Sequence, residues 1–283
     1  MKICYLLGYP VEHSMSALMH NASFQRLNLP YRYELRSIPP GDLVTFVEKE
    51  LRTPKVRGAN VTIPHKQAVI KALDEIDETA SIIGAVNTIV NKRGNLTGHN
   101  TDITGAHRAL REYFGGLYDT KVAILGAGGA SKAVSYLFAK KASRVSILNR
   151  TLKKAESLAV TLSRLPECKA EVQALPLKYE PLENAVKEAD ILVNTTSVGM
   201  VPKSNETLVS KTLLHRELFV FDLVYNPPKT RLMREAAEMG ARVIGGLPML
   251  VYQGSEAFKL WTGRNPPEEL MFKTLKENLG EDQ

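Results

Sequence analysis

The chain of 283 residues exceeds the usual size of one domain, so its length predicts two domains. Hydrophobic residues make up 44% of it and charged residues 24%, which is typical of a globular protein, and no apolar stretch has the length that a membrane span needs. The net charge of +7 favours anionic partners, but the basic residues are scattered without interleaved aromatics, which favours small anionic ligands over nucleic acid. With no long apolar stretch, we expect no membrane partner either.

The first predicted strand, residues 2–7, is a short apolar run that ends at Gly8 and Pro10, too short for the hydrophobic region of a secretory signal. It carries Cys4, and the second cysteine of the chain is Cys168. Because no metal-ligand spacing surrounds either cysteine, we expect free thiols, no disulfide framework and no metal site. These features predict a cytoplasmic protein.

Two serines, Ser14 and Ser16, stand just before the helix predicted at residues 17–27. Either of them is suited to cap that helix, which is a common use of serine. Two hydroxyl groups one residue apart at the start of a helix are equally suited to hold a carboxylate. The sequence leaves both interpretations open.

Strands and helices alternate through the first part of the chain. The strands are predicted at residues 2–7, 31–37 and 56–63, and the helices at residues 17–27, 40–51 and from residue 65 onward. This alternation is typical of a parallel α/β sheet, in which ligands bind at the carboxyl ends of the strands. Asn60, Thr62 and Lys66 fall at such a strand end. Without further information, Lys66 would be taken for a surface residue of the following helix.

A helix at residues 74–81, an apolar stretch at 83–90, a hairpin turn at 91–94 and a return strand at 96–98 are predicted next. Asp102 then precedes a helix predicted at residues 103–113, where either it or Thr101 is suited to be the N-cap. We expect the boundary between the two domains between Asp102 and Thr120.

A glycine turn follows a continuously apolar strand of the chain. Residues 122–125 form a continuous branched apolar run, typical of a strand buried on both faces, and it ends at Gly126. Small residues up to Gly129 and a helix over residues 130–140 would let a phosphate meet the N-terminus of that helix. This pattern indicates the start of a dinucleotide-binding unit, although Ser131 replaces the usual third glycine and a plain tight turn fits the glycines as well.

The end of the next predicted strand, residues 144–148, bears on the choice of dinucleotide. An NAD site would offer an acidic residue there for the ribose hydroxyl, whereas this chain has Arg150 and Lys154. Because a cationic pair suits a 2′-phosphate, we predict NADP as the cofactor. The alternative is that both residues belong to a solvated helix face.

The remaining chain contains further strands whose ends carry small and polar residues. The strands are predicted at residues 190–194, 218–223 and 242–244. The helices are predicted at residues 152–165, 250–261 and 267–278, and a further helix is predicted to end at residue 189. No strand separates the last two helices, and we expect them to pack on the first domain.

Motifs that carry a resemblance are spread over nearly the whole chain. They are residues 8–16 (GYPVEHSMS), 58–66 (GANVTIPHK), 84–88 (GAVNT), 100–102 (NTD), 126–131 (GAGGAS), 149–151 (NRT), 194–200 (NTTSVGM), 222–227 (DLVYNP), 245–246 (GG) and Gln253. In this order they closely resemble the shikimate dehydrogenase family. The resemblance implies an oxidoreductase that reversibly reduces 3-dehydroshikimate to shikimate with NADPH, a step of aromatic amino acid biosynthesis.

The resemblance also implies an α/β architecture of two domains separated by a cleft. An N-terminal α/β substrate domain would comprise residues 1–101 together with 247–283, and a Rossmann-like NADP-binding domain would comprise residues 102–246. Whether the protein is a monomer or a homodimer stays open at this point.

Matching positions imply roles for individual residues. Lys66 and Asp102 resemble the catalytic pair. Residues that resemble substrate contacts are Ser14, Ser16, Asn60, Thr62, Asn87, Tyr225 and Gln253. Residues that resemble cofactor contacts are Glu78, Gly126, Ala127, Gly128, Gly129, Ala130, Asn149, Arg150, Thr151, Lys154, Thr195, Met200, Leu223 and Gly246.

These residue types suit the chemistry of a polyol acid. Serine and tyrosine hydroxyls donate to a carboxylate, and the amides of Asn87 and Gln253 both donate to and accept from ring hydroxyls. Burial disfavours the charged form of Lys66 whereas Asp102 favours it, so the sequence leaves open whether Lys66 takes the proton or stabilises the alkoxide.

Two other functions fit the same motifs. One is a quinate/shikimate dehydrogenase that uses NAD, and the other is a dinucleotide-binding sensor without turnover, since a fold alone does not guarantee activity. The presence of both Lys66 and Asp102 argues against the sensor.

Overall fold

The chain divides into two compact units. The computed structural model describes residues 1–280. The first unit combines Met1–Gly105 with the segment from Leu250 onward, and the second unit is the continuous stretch Ala106–Met249. Each unit is built around one six-stranded sheet, which confirms the predicted α/β class.

The sheet of the first unit is mixed. Its strands are β1 (Lys2–Gly8), β2 (Tyr31–Ser37), β3 (Val56–Val61), β4 (Glu75–Ile76), β5 (Thr88–Lys92) and β6 (Asn95–His99). They lie in the order β2-β1-β3-β5-β6-β4. β1 is parallel to β2 and β3, whereas β5 is antiparallel to β3 and β6. The two-residue turn between β5 and β6 has φ of +58° at Arg93 and +94° at Gly94, as a type I′ hairpin requires.

The helices of the first unit differ from the sequence-based expectation at two places. They are α1 (Ser16–Arg26), α2 (Leu43–Phe46) followed by a π-turn (Val47–Leu51), a 3₁₀ helix (Ala68–Ala72) and α3 (Glu78–Ile83). The predicted α-helix from residue 65 is wrong, because the Lys66 carbonyl accepts a hydrogen bond from the Val86 N–H at 2.8 Å instead of continuing a helix. The helix predicted at residues 74–81 begins later, since residues 75–76 pair with β6 as the short strand β4.

The C-terminal helices complete the core of the first unit. Most of α9 (Leu247–Thr262) and all of α10 (Glu268–Leu279) belong to it. Trp261 of α9 is fully buried and donates through Nε1 to the Ile89 carbonyl at 2.9 Å. Gly58 lies beneath this ring, where an added Cβ would be 2.5 Å from the indole nitrogen. The sheet therefore needs a residue without a side chain at this position for the tryptophan to pack.

The sheet of the second unit is entirely parallel. Its strands are β7 (Lys121–Leu125), β8 (Arg144–Asn149), β9 (Glu171–Pro176), β10 (Ile191–Asn194), β11 (Phe219–Asp222) and β12 (Arg242–Ile244). The helices of the second unit are α5 (Gly129–Ala139), α6 (Leu152–Ser163), α7 (Tyr179–Lys187), a 3₁₀ helix (Lys211–Leu213) and α8 (Arg231–Glu238), while α4 (Asp102–Tyr113) contains the boundary between the units.

The strand order in this sheet is that of a doubly wound dinucleotide-binding fold. It runs β12-β11-β10-β7-β8-β9, so the chain builds outward from β7 on one side and from β10 on the other. The two directions meet between β7 and β10, which is where such sheets bind ligands. The glycine turn after β7 and the polar residues after β10 both lie at this switch point.

Two further findings concern residues 1–280. None of the helices there combines the length and the apolar character of a membrane span. No group of three or more His, Cys, Asp and Glu side chains in the same range is arranged to hold a metal ion.

Candidate functional site

Lys66 and Asp102 form a nearly buried ion pair in the first unit. Lys66 lies in the turn after β3, and Asp102 is the first residue of α4. The Lys66 ammonium donates to Asp102 Oδ2, and the two side chains are 13% and 6% exposed. The pair therefore joins a proton donor to a carboxylate at a place that solvent reaches only in part.

Asn87 holds the second oxygen of the same carboxylate. Its Nδ2 donates to Asp102 Oδ1 at 2.8 Å, and its Oδ1 accepts the Thr101 N–H at 2.7 Å. Because a carboxylate only accepts and a backbone N–H only donates, these two neighbours fix the orientation of the Asn87 amide. Asp102 is thus held through one oxygen by Asn87 and through the other by Lys66.

The other substrate candidates of the first unit lie at different depths. Asn60 of β3 is buried and donates to the Asn87 carbonyl at 3.2 Å. The Gln253 Oε1 lies 3.4 Å from Asn87 Nδ2. Thr62 is half-buried directly after β3, and its backbone N–H donates to the Leu7 carbonyl at 2.8 Å. The structure thus joins Asn60, Asn87 and Gln253 into one polar network with Asp102.

Ser14 and Ser16 lie together at the start of α1. Their hydroxyl groups are 3.2 Å apart, and the Ser16 N–H donates to Ser14 Oγ at 3.3 Å. Met15 occupies the N-cap position and makes no side-chain cap, while Ser14 accepts from the N–H of Ser16, the first residue of α1. Ser14 therefore satisfies one N–H of the first helical turn, and the two adjacent hydroxyls are also compatible with holding an anion.

The glycine turn lies at the switch point of the second unit. Gly126 has φ of +107°, and an added Cβ would be 2.7 Å from Thr195 Oγ1, so a side chain is excluded for two reasons. Ser131, which replaces the usual third glycine, is buried and donates to the Gly126 carbonyl at 2.6 Å. The serine therefore stabilises the turn from within.

Space and donors for an anion are present at the end of this turn. Gly128 is the N-cap of α5, which has 11 residues, and nothing lies within 4 Å of the Cβ that could be added there. Unpaired backbone N–H groups and the positive end of the helix dipole favour a phosphate at such a place. Ala127, Gly129 and Ala130, which were predicted to contact the cofactor, form the rest of this segment.

The cationic residues predicted to select NADP are exposed after β8. Asn149 ends the strand and donates through Nδ2 to the Thr151 carbonyl at 2.9 Å. Arg150, Thr151 and Lys154 are all exposed, and Thr151 is the N-cap of α6. The two cations are thus free to contact a ligand at the carboxyl edge of the sheet.

The remaining cofactor candidates fall into two groups. Thr195 follows β10, Met200 is exposed in the loop after it, and Leu223 follows β11. A Cβ on Gly246 would lie 2.1 Å from the Leu223 carbonyl oxygen, so these two segments approach as closely as glycine allows. Glu78 is an exposed residue in the first turn of α3, which belongs to the first unit.

Tyr225 is the one substrate candidate in the second unit. It lies half-buried after β11, three residues beyond Asp222. The other substrate candidates belong to the first unit.

Two buried polar residues that support these segments lie within the motifs at residues 84–88 and 222–227, but the sequence assigned them no role. Thr88 of β5 donates to Asn87 Oδ1 at 3.0 Å. Asp222 accepts from Asn194 Nδ2 at 2.9 Å and from Thr230 Oγ1 at 2.7 Å, and burial raises its pKa to about 6. The signal that could have found them is their position at a strand end or beside a site residue.

Models of three protein domains match the chain. The model described as the shikimate dehydrogenase substrate binding domain matches residues 6–89. The model described as shikimate / quinate 5-dehydrogenase matches residues 108–230, and that of the shikimate 5′-dehydrogenase C-terminal domain matches residues 246–276.

Individual relatives are similar over nearly the full length. A protein of Methanopyrus kandleri named shikimate dehydrogenase (NADP(+)) is 47% identical, covering 97% of this chain and 94% of its own. A crystal structure of a shikimate dehydrogenase in complex with NADP⁺ is 40% identical with a TM-score of 0.90, covering 99% of this chain and 96% of its own. The Thermus thermophilus shikimate 5-dehydrogenase in complex with NADP(H) and shikimate is 36% identical with a TM-score of 0.84, covering 98% and 99%.

Proposed function

Because the chain belongs to the shikimate dehydrogenase family, we propose that it reversibly reduces 3-dehydroshikimate to shikimate with NADPH. It is an NADP-dependent oxidoreductase of aromatic amino acid biosynthesis. The observation that carries the proposal is the nearly buried Lys66–Asp102 pair beside Asn87 and Gln253. A carbonyl reduction needs a proton donor that faces a site rich in hydrogen-bonding groups, and these four residues supply both.

We propose that Lys66 and Asp102 form the catalytic pair. When bound, NADPH supplies a hydride to the carbonyl carbon of the substrate. The Lys66 ammonium donates a hydrogen bond to the oxygen on which negative charge develops and then transfers a proton to it. Asp102 accepts from the same ammonium and so keeps it oriented, and the reverse reaction returns the proton to Lys66.

We propose that the first unit binds the substrate. The adjacent hydroxyls of Ser14 and Ser16 suit its carboxylate. Asn60, Thr62, Asn87 and Gln253 suit its ring hydroxyls, because amides and hydroxyls donate as well as accept. Tyr225 is proposed as a further contact from the second unit. In domain terms, residues 1–101 with 247–283 bind the substrate and residues 102–246 bind NADP.

The second unit supports the choice of NADP. The turn at Gly126 and the open space at Gly128 fit a pyrophosphate at the start of α5. Arg150 and Lys154 are two exposed cations at the position where a 2′-phosphate is recognised. We propose Asn149, Thr151, Thr195, Met200, Leu223, Gly246 and Glu78 as further cofactor contacts.

Initial rates with two substrates and two cofactors test the function. Shikimate and quinate are each combined with NADP⁺ and with NAD⁺, and NADPH oxidation is followed on addition of 3-dehydroshikimate. We expect the highest kcat/KM for shikimate with NADP⁺. A preference for quinate with NAD⁺ would assign the chain to the other activity of the family, and no turnover with any pair would support a sensor.

Two further proposals concern the location of the enzyme in the cell and its oligomeric state. We propose a cytoplasmic enzyme, since its reaction is biosynthetic and both cysteines are free thiols. We propose a monomer or a homodimer, which light scattering during size-exclusion chromatography distinguishes.

A further inference from the structure

The polar network around Asp102 continues through the substrate candidates Asn87 and Asn60 into the core of the first unit. It includes Tyr33 of β2, whose hydroxyl donates to Asn60 Oδ1 at 2.8 Å. Tyr33 is 2% exposed, and its ring stacks on His20 with centroids 4.5 Å apart. Trp261 flanks the same ring at 6.0 Å. The Tyr33 hydroxyl is therefore held at a fixed position by packing.

Asn60 connects this hydroxyl to the segment that carries Asn87. Its Nδ2 donates to the Asn87 carbonyl at 3.2 Å and to Thr88 Oγ1 at 3.0 Å. Because a carbonyl only accepts, the NH₂ group of Asn60 must face Asn87, and its Oδ1 must face Tyr33. The Tyr33 hydroxyl is thus the matching donor for a buried amide oxygen.

Thr88 and Asn87 carry the network to the carboxylate. Thr88 accepts from Asn60 and donates to Asn87 Oδ1 at 3.0 Å. Asn87 Nδ2 in turn donates to Asp102 Oδ1 at 2.8 Å. Each side chain in this series therefore donates to the next one, from Tyr33 through Asn60, Thr88 and Asn87 to Asp102.

We propose that Tyr33 is a positioning residue of the reaction, acting through Asn60, Thr88 and Asn87 on the orientation of Asp102 and its partner Lys66. The proposal rests on the proposed function of the Lys66–Asp102 pair. Tyr33 itself contacts neither of these two residues within the network described above.

The effect of the Tyr33 hydroxyl depends on its burial. Removal of the Tyr33 hydroxyl leaves Asn60 Oδ1 without this donor in a place where water does not replace it easily. The Asn60 amide then tilts or turns, and both of its hydrogen bonds toward Asn87 and Thr88 weaken. Because alignment of catalytic groups is sensitive to small displacements, we expect the loss to fall chiefly on the chemical step.

A pair of matched variants tests the proposal. Tyr33→Phe removes only the hydroxyl and keeps the stacked ring. Tyr31→Phe is the control, because Tyr31 belongs to the same strand and its hydroxyl lies 3.5 Å from the Trp261 carbonyl, outside the network. Steady-state kcat, both KM values and the thermal midpoint are measured for each full-length variant.

We expect Tyr33→Phe to lower kcat by about tenfold, with the KM for shikimate changed less than about twofold. Tyr31→Phe should match the wild type. A kcat of Tyr33→Phe within about twofold of wild type, or an equal loss in Tyr31→Phe, would overturn the proposal.

A second variant keeps the proposal testable if Tyr33→Phe folds poorly. Thr88→Val removes the next hydroxyl of the network and should also lower kcat with little change in KM. The double variant Tyr33→Phe/Thr88→Val should lose less kcat than the product of the two single losses, since both residues act through the same hydrogen bonds. A loss of kcat equal to that product would contradict the network. If the wild type itself fails to turn over shikimate, the proposed function fails, and that outcome is distinct from an active wild type with an unaffected Tyr33→Phe.

Discussion

At the residue scale, the two oxygens of Asp102 serve two different partners. Oδ2 accepts from the Lys66 ammonium, and Oδ1 accepts from Asn87 at 2.8 Å. This division keeps the ammonium aimed in one direction even before a substrate arrives. It also explains why replacement of either charged residue should act on the reaction more than on binding.

We predict that Lys66→Ala lowers kcat by about 10² to 10⁴-fold with a modest change in KM, because a positioned proton donor contributes a factor of this size. Asp102→Asn should do likewise, since the ammonium then loses its charged partner. Steady-state kinetics with shikimate and NADP⁺ measure both effects. Lys71→Ala, which changes an exposed lysine nearby in the chain, serves as control and should turn over normally. Near-normal kcat in Lys66→Ala would remove the lysine from the mechanism.

Asp222 provides a prediction on pH. Burial raises its pKa to about 6 from 3.8, so the folded chain binds a proton between these values that the unfolded chain has lost. Its contribution to stability is therefore complete below about pH 4 and disappears as the pH rises through about 6. Between pH 4 and 7 the wild type should lose about 3 kcal/mol relative to Asp222→Asn.

Urea denaturation of both proteins at several pH values measures this difference. Asp119→Asn, at an exposed aspartate, is the matched control and should follow the wild type at every pH. A constant difference between wild type and Asp222→Asn from pH 4 to 7 would contradict the prediction.

Much of the candidate site was predictable because its residues follow strand ends and family motifs. Lys66, Asp102, Asn87 and Gln253 were identified in this way, and the structure brings them together. Tyr33 could not be identified, since a tyrosine in the middle of an alternating strand is typical of any core. Its relation to Asn60 arises only from the pairing of β1 with both β2 and β3.

At the scale of elements, the predictions succeeded for strands that are continuously apolar or that alternate, such as residues 31–37, and failed for two short or exposed edge strands. Residues 122–125 and 191–194 are buried throughout and were predicted from their composition. β9 was missed because its residues are only partly buried at the edge of the sheet and end in a proline. β4 was missed because it has only two residues.

Packing of α1 against α9 creates a sensitivity to acid. His20 of α1 is fully buried among aromatic rings, and within residues 1–280 neither of its ring nitrogens has a hydrogen-bond partner. Burial lowers its pKa to about 3 from 6.5. As the pH falls, the histidine of the unfolded chain therefore takes up a proton before the buried His20 of the folded chain does. The stability that the protein has with His20 neutral is complete above about pH 6.5 and decreases as the pH falls toward 3.

We predict that His20→Phe, which keeps a stacked ring, gains stability relative to the wild type by about 2 kcal/mol between pH 7 and 5. Thermal or urea denaturation at the two pH values measures the gain. His13→Gln, at an exposed histidine, is the control and should show no such change. Parallel stability curves for His20→Phe and the wild type would refute the prediction.

At the scale of the whole molecule, the two units differ in how the chain builds them. The second unit is one continuous stretch, whereas the first unit needs two separate segments. Trp261, from the second of these segments, fills the space above Gly58 and bonds to Ile89 of the sheet. The first unit therefore lacks part of its core until both segments are present.

We predict that a fragment of residues 102–249 unfolds cooperatively in urea and binds NADP⁺, because it contains a complete parallel sheet with its own core. The matched fragment of residues 1–105 should give no cooperative transition, because the side chains that cover its sheet from α9 are missing. Circular dichroism during urea denaturation and a titration with NADP⁺ measure both outcomes. Cooperative unfolding of residues 1–105 would show that α9 is dispensable for this core.

The position of Trp261 has a consequence for biosynthesis on the ribosome. Synthesis proceeds from the N-terminus, so the first hundred residues emerge early and must wait for an indole ring that is translated more than two hundred residues after Tyr33. The second unit is one continuous stretch and meets no such delay. It can finish folding while the first unit still lacks its C-terminal segment. The nascent N-terminal segment is therefore the part of the protein with the longest need of chaperone protection.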